Sequence, residues 1–145
     1  MDLTVSPRYI MDISPGKRLD PYDVEASTTL LSPIRLLPLS LPPLSRVLLA
    51  SVEVVRIPER MVVLIGLRST WARFGLVSSL TVADPGFNGT LTLEVFNSSV
   101  HPILISSGDK IWSMTLVYAP DEPLYTGRYQ GQHDVTRPIV FERPK

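Results

Sequence analysis

The sequence has 145 residues, of which 44% are hydrophobic and 19% charged, and its 14 basic side chains balance its 14 acidic ones. This composition fits one folded domain and excludes a disordered chain, while zero net charge argues against a general nucleic-acid or anionic-membrane binder. The absence of cysteine excludes disulfide bonds and thiolate zinc sites.

The N-terminal end shows no targeting or membrane signal. Residues 1–5 lack the charged-then-apolar pattern of a signal peptide. The apolar stretch from Leu30 to Ala50 contains Pro33, Pro38, Pro42 and Pro43 as well as two arginines, so it cannot form a membrane-spanning helix. We therefore expect a soluble cytoplasmic protein without membrane or nucleic-acid partners.

The pattern along the chain predicts short strands. Fourteen prolines disfavour long helices, since an interior proline costs about 3 kcal/mol. The apolar runs are short, β-branched and bounded by turn residues. We predict strands over 47–55, 61–67, 90–96, 102–106 and 111–118, turns at 58–60 and 107–109, and one helix over 69–74 with Ser69 as a suitable N-cap.

These elements predict an all-β, single-domain β-sandwich or jelly roll with one short helical turn. The domain would span residues 1–145. Residues 120–145 are polar, contain Gly127 and Gly131, and are expected to form a loop or arm. Neither repeats nor an interior linker interrupt this pattern.

The strand over 90–96 gives the clearest alternation. Leu91, Leu93 and Val95 fall on one face, which should meet the core, and Glu94 falls on the other between Thr92 and Phe96. By position alone, a glutamate there is more often a solvent-facing residue than a catalytic one.

A second cluster precedes and enters the predicted helix. Arg68, Ser69, Thr70 and Arg73 place two guanidinium groups and two hydroxyls within six residues. Arginines and helix N-terminal amides both favour phosphate, so the cluster suits an oxyanion. The alternative is a capping serine beside two solvent-exposed arginines.

Three segments carry a resemblance to a known family. They cover residues 66–76 (GLRSTWARFGL), 83–97 (ADPGFNGTLTLEVFN) and 125–132 (YTGRYQGQ). In this order they resemble the dCTP deaminase and trimeric dUTPase superfamily, and the similarity extends from about Leu49 to Gln132. The resemblance implies the dUTPase-like fold and a nucleotide-covering role for the arm at 120–145.

The resemblance also implies residue roles. Glu94 matches the general base and acid of deamination, which monofunctional dUTPases lack, and the other implied catalytic residues are Ser69, Arg73 and Asp84. The implied substrate-binding residues are Arg68, Ser69, Thr70, Asp84, Phe87, Thr92, Tyr125, Arg128 and Gln132. Asp84 would contact the deoxyribose 3′-hydroxyl, and in enzymes that split the triphosphate it would activate water. Phe87 would pack on the sugar, and the three tail residues would cover the nucleotide.

The activity implied is conversion of dCTP to dUTP, with or without diphosphate release to dUMP. A dUTPase and a nucleotide-binding paralogue without turnover are the alternatives. The resemblance further implies a homotrimer with active sites between subunits. Magnesium is expected as the counterion of the triphosphate, with no zinc and no metal held by protein ligands alone.

Three segments depart from the family pattern. The connection between Leu76 and Asp84 is shorter than in dCTP deaminases and has Leu80 to Ala83 where a base-reading loop is usual. Trp112 and Ser113 are unexpected before the last strand. Residues 133–136, beginning at His133, do not match the usual end of the phosphate arm. The first departure leaves base preference open, and the three together are compatible with either a divergent enzyme or a paralogue that only binds nucleotide.

Overall fold

The computed structural model describes residues 1–13 and 16–145, and it is built almost entirely from strands. Within these ranges the two helices are α1 (Val24–Thr29) and α2 (Ser69–Arg73). The strands, in chain order, are β1 (Asp2–Met11), β2 (Arg35–Leu36), β3 (Leu39–Leu41), β4 (Arg46–Ser51), β5 (Val55–Arg56), β6 (Met61–Leu67), β7 (Leu76–Val77), β8 (Thr81–Ala83), β9 (Asn88–Gly89), β10 (Thr92–Asn97), β11 (Ile103–Ile105) and β12 (Lys110–Tyr118). Neither helix is long and apolar enough to cross a membrane.

The main sheet has eight strands, all antiparallel to their neighbours, and it curls around the core. Its order is β7-β10-β4-β1-β12-β6-β8, with β2 added to β1. Two short ladders, β3 with β11 and β5 with β9, lie outside it. The predicted all-β sandwich or jelly-roll class is confirmed.

The inner faces of the strands form one large apolar cluster. Leu91, Leu93 and Val95 are each at most 5% exposed, as their alternation predicts. Trp112 is fully buried in the same cluster. The unexpected tryptophan is therefore a core residue.

Several predicted elements begin or end at other residues in the structure; the strand expected over 90–96, for example, is Thr92–Asn97. The strand expected over 47–55 ends at Ser51, because the Ser51 hydroxyl donates to the Glu53 carbonyl (2.8 Å) and accepts from the Leu91 amide (2.9 Å). Pairing resumes only at Val55. Ser69 was expected to cap α2, but Arg68 occupies the N-cap position and makes no side-chain capping bond.

Local patterns also left several features of the fold unpredicted, among them the long strand β1 (Asp2–Met11). The strands at each side of the Ser107 turn do not pair with each other: β11 pairs with β3, whereas β12 pairs with β1 and β6. The helix α1 was not predicted. Its acidic first-turn residue, Glu25, suits a helix N-terminus.

The tail after β12 folds back over its own chain without forming a further strand or helix. Val135 is 5% exposed and joins Ile10, Leu31, Leu48 and Ala50 in a second apolar cluster on the other face of β1 and β4. Near the C-terminus, Arg143 forms an ion pair with Asp20 (2.9 Å). The tail thus covers part of the sheet that would otherwise face solvent.

Candidate active site

A cavity of about 290 Å³ lies between the sheet and the tail. Its lining combines the β8 segment, the loop after it, strands β4 and β10, and the tail. The lining residues are Leu48, Thr81, Val82, Ala83, Asp84, Phe87, Leu91, Thr92, Tyr125, Tyr129, Gln132, Thr136, Arg137 and Pro138. Five residues predicted from sequence therefore meet at one place: Asp84, Phe87, Thr92, Tyr125 and Gln132.

The loop that carries Asp84 is held in a tight turn. The Phe87 amide donates to the Asp84 carbonyl (3.2 Å), and the Tyr125 amide donates to the Pro85 carbonyl (2.7 Å). The Phe87 and Tyr125 rings meet edge to face with centroids 5.4 Å apart. This arrangement gives the cavity one carboxylate beside an apolar aromatic wall.

Gln132 joins the tail to the start of β10. Its side-chain amide donates to the Thr90 carbonyl (2.8 Å), and its own carbonyl accepts from the Thr90 amide (3.0 Å). A Cβ on Gly89 would stand 2.8 Å from that carbonyl, so this close approach requires glycine. The Gln132 Oε1 atom is buried and has no hydrogen-bond partner among the described residues. This oxygen is an acceptor that a bound group could satisfy.

The hydroxyl of Thr92 is engaged by the tail. It accepts from the Thr136 amide (3.0 Å) and donates to the Asp134 carbonyl (3.4 Å). Asp134 in turn forms an ion pair with Arg8 (2.6 Å). Asp134 and Thr136, in the segment that departs from the family pattern, therefore help to dock the tail on the sheet.

Replacing Val135 by alanine should loosen this docking. The change removes buried methyl groups worth about 1 to 2 kcal/mol. We expect the Thr136 amide, which donates to Thr92, to exchange with solvent about 5- to 30-fold faster in hydrogen-exchange measurements. Val100→Ala, at a side chain 81% exposed, is the matched control. Unchanged protection of Thr136 would contradict the docking role of Val135.

Glu94 lies just beyond the cavity on the outer face of β10. It is half-buried, shares that face with Thr92, and pairs across the ladder with Leu48, which lines the cavity. Its Oε1 atom accepts a hydrogen bond from the Ser79 hydroxyl. The carboxylate therefore has a defined position near the cavity rather than a free, fully solvated one.

A cation stands close to Glu94 on the same face. Arg46 forms a two-pronged pair with Asp12, at 2.6 and 3.1 Å. The hydrogen bonding that Arg46 donates to Asp12 is the main cause that raises the pKa of Arg46, and the nearby charge of Glu94 raises it further. Arg46 thus remains cationic and places positive charge beside the Glu94 carboxylate.

The arginine and hydroxyl cluster lies elsewhere in the same chain. None of Arg68, Ser69, Thr70 and Arg73 lines the cavity, and all four are exposed. Asp84 follows Ala83, which pairs with Val63, whereas Arg68 follows the opposite end of β6. A strand rising from residue 62 to 68 spans about 20 Å. Within one chain, the predicted site residues therefore lie in two separate places.

Arg128 also lies away from the cavity. Its guanidinium donates to the Val140 carbonyl and stands 5.5 Å from the centre of the Phe141 ring. In this arrangement Arg128 holds the end of the tail. Its predicted contact with phosphate stays a prediction.

Sequence reasoning missed several residues near the site. Ser79 and Arg46 adjoin Glu94, and Tyr129, Thr136 and Arg137 line the cavity. Tyr129 lies inside segment 125–132, so its position in that segment could have identified it as a site residue. The other four residues come close to the site through the curl of the sheet and the path of the tail. Local sequence patterns do not indicate either feature.

Comparison with known proteins identifies the family. The model of the family described as dCTP deaminase-like matches residues 1–118. The chain belongs to the dCTP deaminase-like family. Among curated proteins it is 37% identical over 138 residues to the dCTP deaminase of Pyrobaculum neutrophilum, covering 95% of this chain and 78% of that protein. It is 41% identical over 103 residues to that of Aeropyrum pernix, covering 70% of this chain and 57% of that protein.

A solved structure supports the fold of this family member. The 2′-deoxycytidine 5′-triphosphate deaminase of Agrobacterium tumefaciens superimposes with a TM-score of 0.64 at 14% sequence identity. The match covers 80% of this chain but 36% of that one, so the chain spans about a third of the length of the solved protein. The likeness concerns the fold alone.

Proposed function

We propose that this chain hydrolytically deaminates dCTP to dUTP, with Glu94 as the proton-transferring residue. The observation that carries the proposal is the half-buried Glu94 carboxylate, held by Ser79 beside the cavity. The curated relatives reported above are named dCTP deaminases, which supports the same substrate. Because the sequence contains no cysteine, the proposed step would have to activate water without a thiolate-bound zinc ion.

The chemistry requires one group that both accepts and donates a proton. Glu94 takes a proton from water as the oxygen attacks C4 of cytosine, and then delivers a proton to the departing amine. Water and dCTP are consumed, and dUTP and ammonia are formed. A single carboxylate serves both steps because it accepts a proton in its ionised form and can then donate one in its protonated form.

The cavity would hold the sugar. Asp84 would accept a hydrogen bond from the 3′-hydroxyl, and the Phe87 ring would pack on the deoxyribose. The unpartnered Oε1 of Gln132 offers a further acceptor in the same wall. Thr92 and Tyr125 complete the side of the cavity that faces the substrate.

The position of Asp84 in the cavity supports a second reaction, the release of diphosphate. It and Arg137 are the two charged residues in the cavity lining. A carboxylate there could activate water for attack on phosphorus, which would give dUMP and diphosphate. Monofunctional dUTP hydrolysis would use Asp84 without Glu94, and it is the second candidate.

We further propose that the site is completed between subunits of a homotrimer. Arg68, Ser69, Thr70 and Arg73 would reach the triphosphate and the attacking water from a neighbouring copy. The separation of about 20 Å along β6 within one chain supports this arrangement. The substrate would enter as its magnesium complex, whose charge the arginines complement.

The tail at 120–145 would act as a nucleotide-covering arm. Tyr125, Tyr129 and Gln132 already stand on the cavity wall, while Arg128 contacts Val140 and Phe141. Contact between Arg128 and phosphate would require the last part of the tail to rearrange. Such closure excludes water other than the reacting molecule.

The deciding experiment is incubation of the purified protein and magnesium with dCTP and, separately, with dUTP, followed by chromatographic separation of all nucleotides. We expect dUTP or dUMP from dCTP, with one ammonia released per turnover. Turnover of dUTP alone would replace the proposal by a dUTPase. Binding without any product would make the chain a nucleotide-binding paralogue.

A further inference from the structure

Two consecutive serines contact Glu94, and neither is among the predicted site residues. The Ser79 hydroxyl donates to the Glu94 carboxylate, and the Ser78 hydroxyl donates to the Glu94 main-chain carbonyl (2.8 Å). Both serines lie in the short connection between β7 and β8. This is the segment whose length departs from the family pattern.

The register of the sheet explains why these serines reach Glu94. Strand β7 pairs with β10 through Val77 and Phe96, and pairing then stops. Continuing the same antiparallel register would put Ser79 directly opposite Glu94, at the spacing where cross-strand side chains meet. At the end of this ladder, the serine hydroxyls bond to Glu94 in place of backbone groups.

A core residue anchors this contact. The indole N–H of Trp112 donates to the Ser78 oxygen (3.3 Å), and Trp112 is fully buried. Ser78 therefore connects the main chain at Glu94 to the rigid interior of the sheet. Trp112, which departs from the family pattern, is therefore connected through Ser78 to the main chain at Glu94.

We propose that Ser79 is the positioning residue for the Glu94 carboxylate and that Ser78 and Trp112 fix the backbone beneath it. The inference rests on the proposed deamination and deepens it. A hydroxyl suits this position because it can donate to an ionised carboxylate and accept from a protonated one. A backbone amide could only donate. Ser79 can thus keep one orientation of Glu94 through both proton transfers.

The test compares Ser79→Ala, Ser79→Thr and the wild type in ammonia release from dCTP. We expect alanine to lower kcat by about 10- to 100-fold, as for loss of a hydrogen bond to a charged group, with KM changed less than about twofold. Threonine, which keeps the hydroxyl, should recover most of kcat. Ser40→Ala, at an exposed strand position away from the cavity, is the matched control.

An activity-independent measurement separates this inference from the proposed function. In carboxyl-labelled protein, the side-chain carbon resonance of Glu94 should move in Ser79→Ala and remain in place in Ser40→Ala. An unmoved resonance, or wild-type kcat in Ser79→Ala, would overturn the positioning role alone. A wild type that releases no ammonia would instead overturn the proposed deamination, whatever the resonance shows.

The link through Ser78 has its own readout. Trp112 and Trp71 are the two tryptophans, so the indole N–H signals are easily assigned. Ser78→Ala should shift the Trp112 indole signal, leave that of Trp71 in place, and lower kcat. A shift without any effect on kcat would remove Ser78 and Trp112 from the proposal.

Discussion

Replacing Glu94 by glutamine is expected to lower ammonia release from dCTP by about 1,000-fold, within the range usual for loss of a general acid–base group. Glutamine has nearly the same shape, and its side-chain oxygen can still accept from Ser79. The variant should therefore fold and bind dCTP as the wild type does. The measurement is kcat for ammonia release, together with dCTP affinity by calorimetry.

Glu59→Gln is the control for this change, because Glu59 is an exposed glutamate in the turn before β6. It should leave kcat unchanged. Any conversion of dUTP to dUMP should survive Glu94→Gln, since that step would depend on Asp84. Undiminished deamination in the variant would show that another group moves the proton.

Mixed oligomers should regain activity that two inactive variants lack. Glu94→Gln disables the cavity side of the proposed site, and Arg68→Ala disables the α2 side, where loss of a charge-assisted phosphate contact weakens substrate binding. If the two sides of each site come from neighbouring subunits, each side is native in about half of the sites after equal random mixing. About a quarter of the sites then have both sides native. Co-expressed, doubly tagged oligomers assayed below KM would measure this recovery.

The control mixture combines Glu94→Gln with Asp84→Asn. Both residues belong to the cavity side of one chain, so no site in such oligomers contains both native carboxylates. We expect no activity above that of the separate variants. Failure of the Glu94→Gln and Arg68→Ala mixture to exceed its components, in oligomers shown to contain both chains, would place the whole site within one subunit.

The proposed division of the site follows from strand geometry. Asp84 and Arg68 flank β6 at opposite ends, and a strand is rigid and extended. No rotation of side chains closes about 20 Å. A second copy of the chain is therefore our proposed source of the arginine and hydroxyl groups on the α2 side.

Local sequence patterns predicted the elements whose bounds and exposed faces depend on residues close in sequence. The strand Met61–Leu67 has the predicted bounds, because an apolar, β-branched run there is closed by a turn on one side and a polar cluster on the other. The alternation around Glu94 likewise predicted that it lies on the outer face, since side chains alternate across any strand.

Two of the three ordered segments, 83–97 and 125–132, contain predicted residues that meet in the structure, whereas the predicted residues of segment 66–76 lie elsewhere in the chain. Asp84, Phe87, Thr92, Tyr125 and Gln132 line one cavity, although more than 40 positions separate the first from the last. Spacing alone could not bring them together. The resemblance to a family fold supplied the missing long-range information.

Tertiary structure alone decided the pairings and contacts between distant segments. Ile103 to Ile105 pairs with β3 instead of the adjacent β12, and the Thr92 hydroxyl binds the tail. Ser79 reaches Glu94 because β7 lies beside β10 in the register that pairs Val77 with Phe96. Register and strand order depend on which segments lie side by side after collapse. A single strand has the same alternation whichever neighbour it acquires, so the sequence could place Glu94 on a face but not choose its partners.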